Sequence, residues 1–177
     1  METNTFANRV TRVLRFDTPV YREVAADQNA MGQAAVVVIM AAILNAIGQV
    51  GLGFTVVLIS VVAGLVGFAV YAAVAAGVSR GLFQGRTNFQ EMARTLGFAY
   101  AWYGLGILGL IPLIGGALAF LGLLAAIIAG VVALRESSEF DTTKAVVTVV
   151  IAGIVAFFIN LCATGPLLGM IGIAGPS

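Results

Sequence analysis

The sequence predicts an all-α membrane protein: a polytopic bundle of five transmembrane helices preceded by an amphipathic N-terminal helix. Three observations lead there. The chain of 177 residues is 60% hydrophobic and only 10% charged, against about 25% charged in soluble domains, so it cannot cover a water-facing surface. Two long stretches, Met31 to Ser79 and Leu96 to Leu134, contain no charged residue. Each is about twice the ~20 residues that cross a hydrocarbon core. A third apolar stretch, Ala145 to Leu168, is long enough for one crossing.

Residues 1–30 form a cytoplasmic segment of their own. Phe6, Val10, Val13 and Leu14 recur at helical spacing with Arg9, Arg12 and Arg15 between them. That pattern predicts an amphipathic helix with a basic face, suited to the membrane interface. Thr18-Pro19 opens a second short helix, since Pro fits the first helical position, and it ends before Asp27-Gln28-Asn29. A cleaved signal peptide is not expected, because the first apolar run begins behind some thirty polar and charged residues and is too long.

The membrane domain, 31–177, divides at its glycines and proline. Gly48 to Gly53 splits the first run into spans of about 31–50 and 54–79. Arg80 to Thr95 is a polar connector, where Gly81 and Gly85 suit a turn and Asn88 with Glu91 resembles a capping box. A helix from Phe89 then runs along the interface and enters the membrane near Leu96. Ile111-Pro112-Leu113-Ile114-Gly115-Gly116 marks the turn between spans of about 96–112 and 116–134. The connector Arg135 to Lys144 leads to the fifth span, about 145–168, with Asp141 or Thr142 as its cap.

Five spans put the N-terminal segment and the two charged connectors on one side. Those three regions hold all nine Lys and Arg. The positive-inside rule then expects a cytoplasmic N-terminus and an external C-terminus. Arg outnumbers Lys eight to one and Ala, Gly and Val abound, which suits a prokaryotic plasma membrane.

Chemistry-bearing residues are few. Histidine is absent and Cys162 is the single cysteine, so no disulfide, metal site or cofactor is expected. No catalytic motif is present. Asn45 and Gln49, four residues apart, share a face of the first span, and Asn160 lies deep in the fifth. Polar side chains in hydrocarbon either line a functional groove or tie helices together. No Asp, Glu, Lys, Arg or His lies within a span. Arg9, Arg12 and Arg15 are candidates for anionic lipid headgroups. Gly104, Gly115, Gly122 and Gly130 are candidates for close helix packing, within the bundle or between copies. Glu136, Glu139 and Asp141 lack calcium-loop spacing. The expected partners are the lipid bilayer, anionic headgroups, and a membrane-protein partner or a second copy; with a net charge of +1, nucleic acid is not expected.

The segment from Gly85 to Ala156 resembles the Yip family, the Ypt/Rab-interacting membrane proteins. Gly85-Arg86-Thr87-Asn88-Phe89 followed by Arg94-Thr95-Leu96-Gly97-Phe98 is similar to that family's entry to its third span. Ile111-Pro112-Leu113-Ile114-Gly115 is similar to its turn. Leu134-Arg135-Glu136 with Thr142-Thr143-Lys144-Ala145 is similar to its last connector, and Val13-Leu14 through Asp27 to the lead-in of prokaryotic members. Ala101-Trp102 stands where the family often has proline. The resemblance implies five spans, a cytosolic N-terminus, no catalytic residues, and a membrane-organising or partner-binding role. The class set against it is a lipid scramblase or small-solute channel using Asn45, Gln49 and Asn160.

Overall fold

The computed structural model describes residues 5–85 and 88–170. Arg86 and Thr87, named above in the second connector, and the tail 171–177 lie outside the described residues. Every regular element among the described residues is helical. In chain order they are α1 (Phe6–Leu14), α2 (Pro19–Ala26), α3 (Ala30–Ile47), a short 3-10 turn (Val50–Leu52), α4 (Phe54–Phe83), α5 (Phe89–Ala99), a 3-10 segment (Tyr100–Leu110), α6 (Gly115–Ser138) and α7 (Thr142–Met170).

Among the described residues four helices are long and apolar enough to cross a membrane: Ala30–Ile47, Phe54–Phe83, Gly115–Ser138 and Thr142–Ala163. At ~1.5 Å per residue, even α3 reaches about 27 Å, close to a hydrocarbon core. Their outer surfaces carry large apolar side chains, among them Leu58 and Val62 on α4, Phe120 and Ile128 on α6, and Phe157 and Leu161 on α7. Such faces need hydrocarbon for solvent. The chain is an integral membrane protein.

The expected third span is not one α-helix. α5 ends at Ala99 and the backbone tightens into an eleven-residue 3-10 segment, far longer than the usual three or four residues. Its location explains it. The segment packs between α3 and α6, and a Cβ on Gly48 would stand 2.0 Å from the Gly106 carbonyl oxygen. The backbones of α3 and the 3-10 segment therefore touch directly. A 3-10 helix is thinner and rises ~2.0 Å per residue, so α5 and this segment together extend about 38 Å.

The turns follow local chemistry. Asn88 caps α5, its Oδ1 accepting from the Glu91 N–H at 2.8 Å. Asp141 caps α7, accepting from the Lys144 N–H at 2.8 Å. Gln84 and Glu139 adopt left-handed conformations after α4 and α6, a role in which glycine is commoner. Gly81, expected in that turn, stays inside α4. Between the 3-10 segment and α6, Leu113 is left-handed at φ 70° and the Gly115 N–H reaches the Ile111 carbonyl at 2.8 Å.

The core is built of small residues. Ala34, Ala41, Ala72, Ala75, Ala129, Ala133, Ala145 and Ala152 are buried. Without water to expel, helices in lipid associate by close packing, which small side chains permit. Larger buried groups gather at one end, where Val13, Val20, Tyr21, Val24, Met92 and Leu96 share a cluster. There α1 and α2 dock on α5 and the end of α6. The helix predicted for the membrane interface instead turns Arg9 and Val13 into the protein. The apolar residues of α2 and α5 offer α1 a protein surface that sequence periodicity alone does not reveal.

Candidate functional site

Two groups of polar residues stand out, one at each end of the bundle. The first is the charged cluster under α1. Arg9 is 1% exposed, and each nitrogen of its guanidinium is used. Nε donates to Glu23 Oε1 at 3.2 Å, Nη2 to Asp27 Oδ2 at 2.7 Å and Nη1 to Gln33 Oε1 at 2.9 Å. A buried charge is tolerated when its hydrogen bonds are satisfied this fully. Arg12 donates to Asp17 Oδ2 at 2.6 Å and to Glu23 Oε2 at 2.7 Å. Glu23 thus bridges both arginines. Arg15 is exposed and makes no ion pair among the described residues.

Arg94 lies beneath, its Nη2 donating to the Ala25 carbonyl near the end of α2 at 2.7 Å. Its Nε is buried without a partner among the described residues, as is the Tyr21 hydroxyl. Asp27 is held below the ordinary carboxylate range, first by the Arg9 hydrogen bond, then by the Asn29 N–H and the charges of Arg9 and Arg94; partial burial opposes. The hydrogen bonds that Arg12 donates to Asp17 and Glu23 push its pKa up, and burial pushes the Tyr21 phenol up. Arg22 pairs with Glu136, tying α2 to the last connector. Phe83 meets Phe140 edge-on with centroids 5.8 Å apart. Both charged connectors and the N-terminal helices therefore share one end of the bundle.

The second group is at the opposite end. Asn45 donates to the Tyr103 carbonyl at 3.4 Å, Gln49 Nε2 to Asn45 Oδ1 at 3.1 Å, and Ser60 Oγ to Gln49 Oε1 at 3.3 Å. The chain of bonds links α3, the 3-10 segment and α4. Beside it opens a cleft of about 610 Å³, lined by Asn45, Gln49, Gly51, Gly106, Gly109 and Gly116 among others. Asn160 does not line it. Its Nδ2 donates to the Ala63 carbonyl at 3.2 Å, across the α4–α7 contact, where Gly67 leaves it room.

Each glycine singled out for close helix packing faces a neighbour. A Cβ on Gly104 would meet Leu44 at 3.3 Å, on Gly115 the Leu108 carbonyl oxygen at 2.4 Å, on Gly122 Leu105 at 2.6 Å, and on Gly130 the Tyr71 hydroxyl at 2.9 Å. The sequence reading missed Glu23, Asp27 and Gln33 as partners of the basic helix, and Arg94 as the group that holds the end of α2. They stand 14, 18, 24 and 85 positions from Arg9, and no periodicity joins them. Gly106 reads from the sequence as a small packing residue and Gly48 as part of a turn, but their contact with each other, which crosses two elements, does not.

Against the family models, residues 13–163 match the Yip1 domain. The chain belongs to the Yip family. The match begins at Val13, within α1, and runs into α7, so it takes in the second polar group and the carboxylates of the first, while Arg9 and Arg12 precede it. No match was found among curated proteins or among solved structures. Of the Yip-like motifs, Asn88 and Glu91 form the α5 cap, Ile111 to Gly115 form the turn before α6, and Leu134 to Ala145 carry the Arg22 contact and the α7 cap. Among the described residues no group of His, Cys, Asp and Glu could hold a metal ion.

Proposed function

We propose that this Yip-family protein is a non-enzymatic, five-span membrane protein with its N-terminus in the cytoplasm and its C-terminus outside. In this reading it organises the membrane or binds a protein partner through the cap formed by α1, α2 and the charged connectors. The crossing between Gln84 and Ile111 is made by α5 and the 3-10 segment. The orientation follows from the gathering of Arg9, Arg12, Arg15, Arg22, Arg94 and Arg135 at one end.

The observation that carries the reading is the pairing of the span polar groups inside the bundle. Asn45, Gln49, Ser60 and Asn160 bond to each other or to neighbouring backbone. Such bonds serve as helix ties. A continuous polar path would instead carry side chains turned to a shared cavity, and Asn160 is separate from the cleft. A second reading, lipid scrambling or solute passage, draws on the 610 Å³ cleft at Asn45 and Gln49.

Proteoliposomes separate the two. The scaffold reading expects labelled lipid and small solutes to move no faster than in protein-free vesicles. Transport that is lost with Asn45→Leu or Gln49→Leu, in variants that stay folded, contradicts it and supports the cleft.

A further inference from the structure

We infer that α1 is a releasable latch whose ligand is an anionic membrane surface, and that Arg94 takes over Asp27 when Arg9 leaves. The geometry of α1 points to two resting places. By helical spacing its apolar stripe is Phe6, Val10, Val13 and Leu14. Phe6, Val10 and Val13 of that stripe pack on the core, yet the docked face is turned so that Arg9 is buried with them and Leu14 is left 40% exposed. A helix that hides an arginine while showing a leucine is seated by its ion pairs as much as by its apolar face. At a bilayer interface the same helix would sink Leu14 and lift Arg9, Arg12 and Arg15 to the phosphates.

The ion pairs holding it are of a kind that phosphates can compete for. Asp17, Glu23 and Asp27 keep side-chain exposures of 28–36%, so they regain water when the arginines depart. Asp27 has a second cation nearby. Arg94 bonds the Ala25 carbonyl two residues away, its Nε is buried and unpartnered among the described residues, and its charge already acts on Asp27. The groups facing Asp27 are thus Arg9 from α1, the Asn29 N–H from its own loop, and Arg94 from α5. Released, α1 would expose the Tyr21 and Trp102 surfaces it covers, so the cap would differ between neutral and anionic membranes.

Trp102, the single tryptophan, reports the latch. Its Nε1 donates to the Val13 carbonyl at 3.3 Å and its ring stacks on Phe16 at 4.7 Å. The test uses the full chain in lipid nanodiscs of phosphatidylcholine, with or without phosphatidylglycerol. Trp102 emission is expected to shift when phosphatidylglycerol is present. Arg9→Gln should show the shifted emission already in phosphatidylcholine, with α1 amides exchanging roughly tenfold faster or more while α4 and α7 exchange as before. Arg15→Gln should stay docked in phosphatidylcholine and need more phosphatidylglycerol to shift. Emission and α1 exchange independent of lipid charge would overturn the proposal, making α1 a fixed part of the bundle. A shift produced equally by inorganic phosphate in phosphatidylcholine discs would overturn the membrane surface as the ligand. The outcome is independent of the transport assay, so the latch and the scaffold reading stand or fall separately.

Discussion

Single side chains decide how the two ends of this protein behave. Asp27 illustrates the charged end. Its folded pKa lies below the ordinary carboxylate value of about 3.9. The stability it adds to α1 docking is therefore complete above that value and lost as pH falls through it toward the lower folded pKa. In phosphatidylcholine discs Trp102 emission should hold from pH 7 to about 5 and shift only below about 4. A midpoint near neutrality would mean that another group governs docking. Asn160 illustrates the apolar end. Asn160→Leu removes one tie to the Ala63 carbonyl, and bonds of this kind average about 0.6 kcal/mol in a membrane. We expect a small fall in thermal stability in detergent, measured by helical signal against temperature. Collapse of the fold would assign Asn160 a larger role.

The 3-10 segment is the element that departs most from an ordinary span, and its cause lies outside its own sequence. The Gly48 and Gly106 backbones leave no room for a methyl group. Gly48→Ala must part α3 from the segment, and overpacking of this kind costs about 1–3 kcal/mol. Gly77→Ala is the control, because an added Cβ there meets nothing within 4 Å; within α4 it should be neutral or stabilise by up to about 1 kcal/mol. Equal melting temperatures for the two variants would contradict the backbone contact. Elements fixed by local signals were legible in the sequence: the charge-free runs that became α3, α4, α6 and α7, the Asn88 cap, and the Ile111 to Gly115 turn. Elements fixed by distant contacts were not. Glycines in a 3-10 segment and glycines in an α-helix look alike until the opposing backbone is present. Likewise, the periodicity of α1 gives its apolar face but not what covers it, because Glu23, Asp27 and Gln33 follow no shared period with Arg9.

On the scale of the whole molecule, charge separates the two ends. One end gathers arginines, carboxylates and the two charged connectors into a folded cap; the other has tight turns and a small uncharged cleft. Among the described residues four helices are long enough to cross by themselves, and the proposed count of five rests on α5 and the 3-10 segment spanning together. Composition and the order of Yip-like motifs made the membrane class and the family legible from the sequence. The division of the polar groups between ends was only half legible, since Asn160 reads as a companion of Asn45 and Gln49 until α4 is seen between them. The count of crossings is tested most directly by a topology reporter active only outside the cytoplasm, fused in separate chains after Glu139 and after Ser177. The account predicts an inactive reporter at Glu139 and an active one at Ser177. Activity at Glu139, or its absence at Ser177, would contradict the five-span arrangement and the cytoplasmic cap built on it.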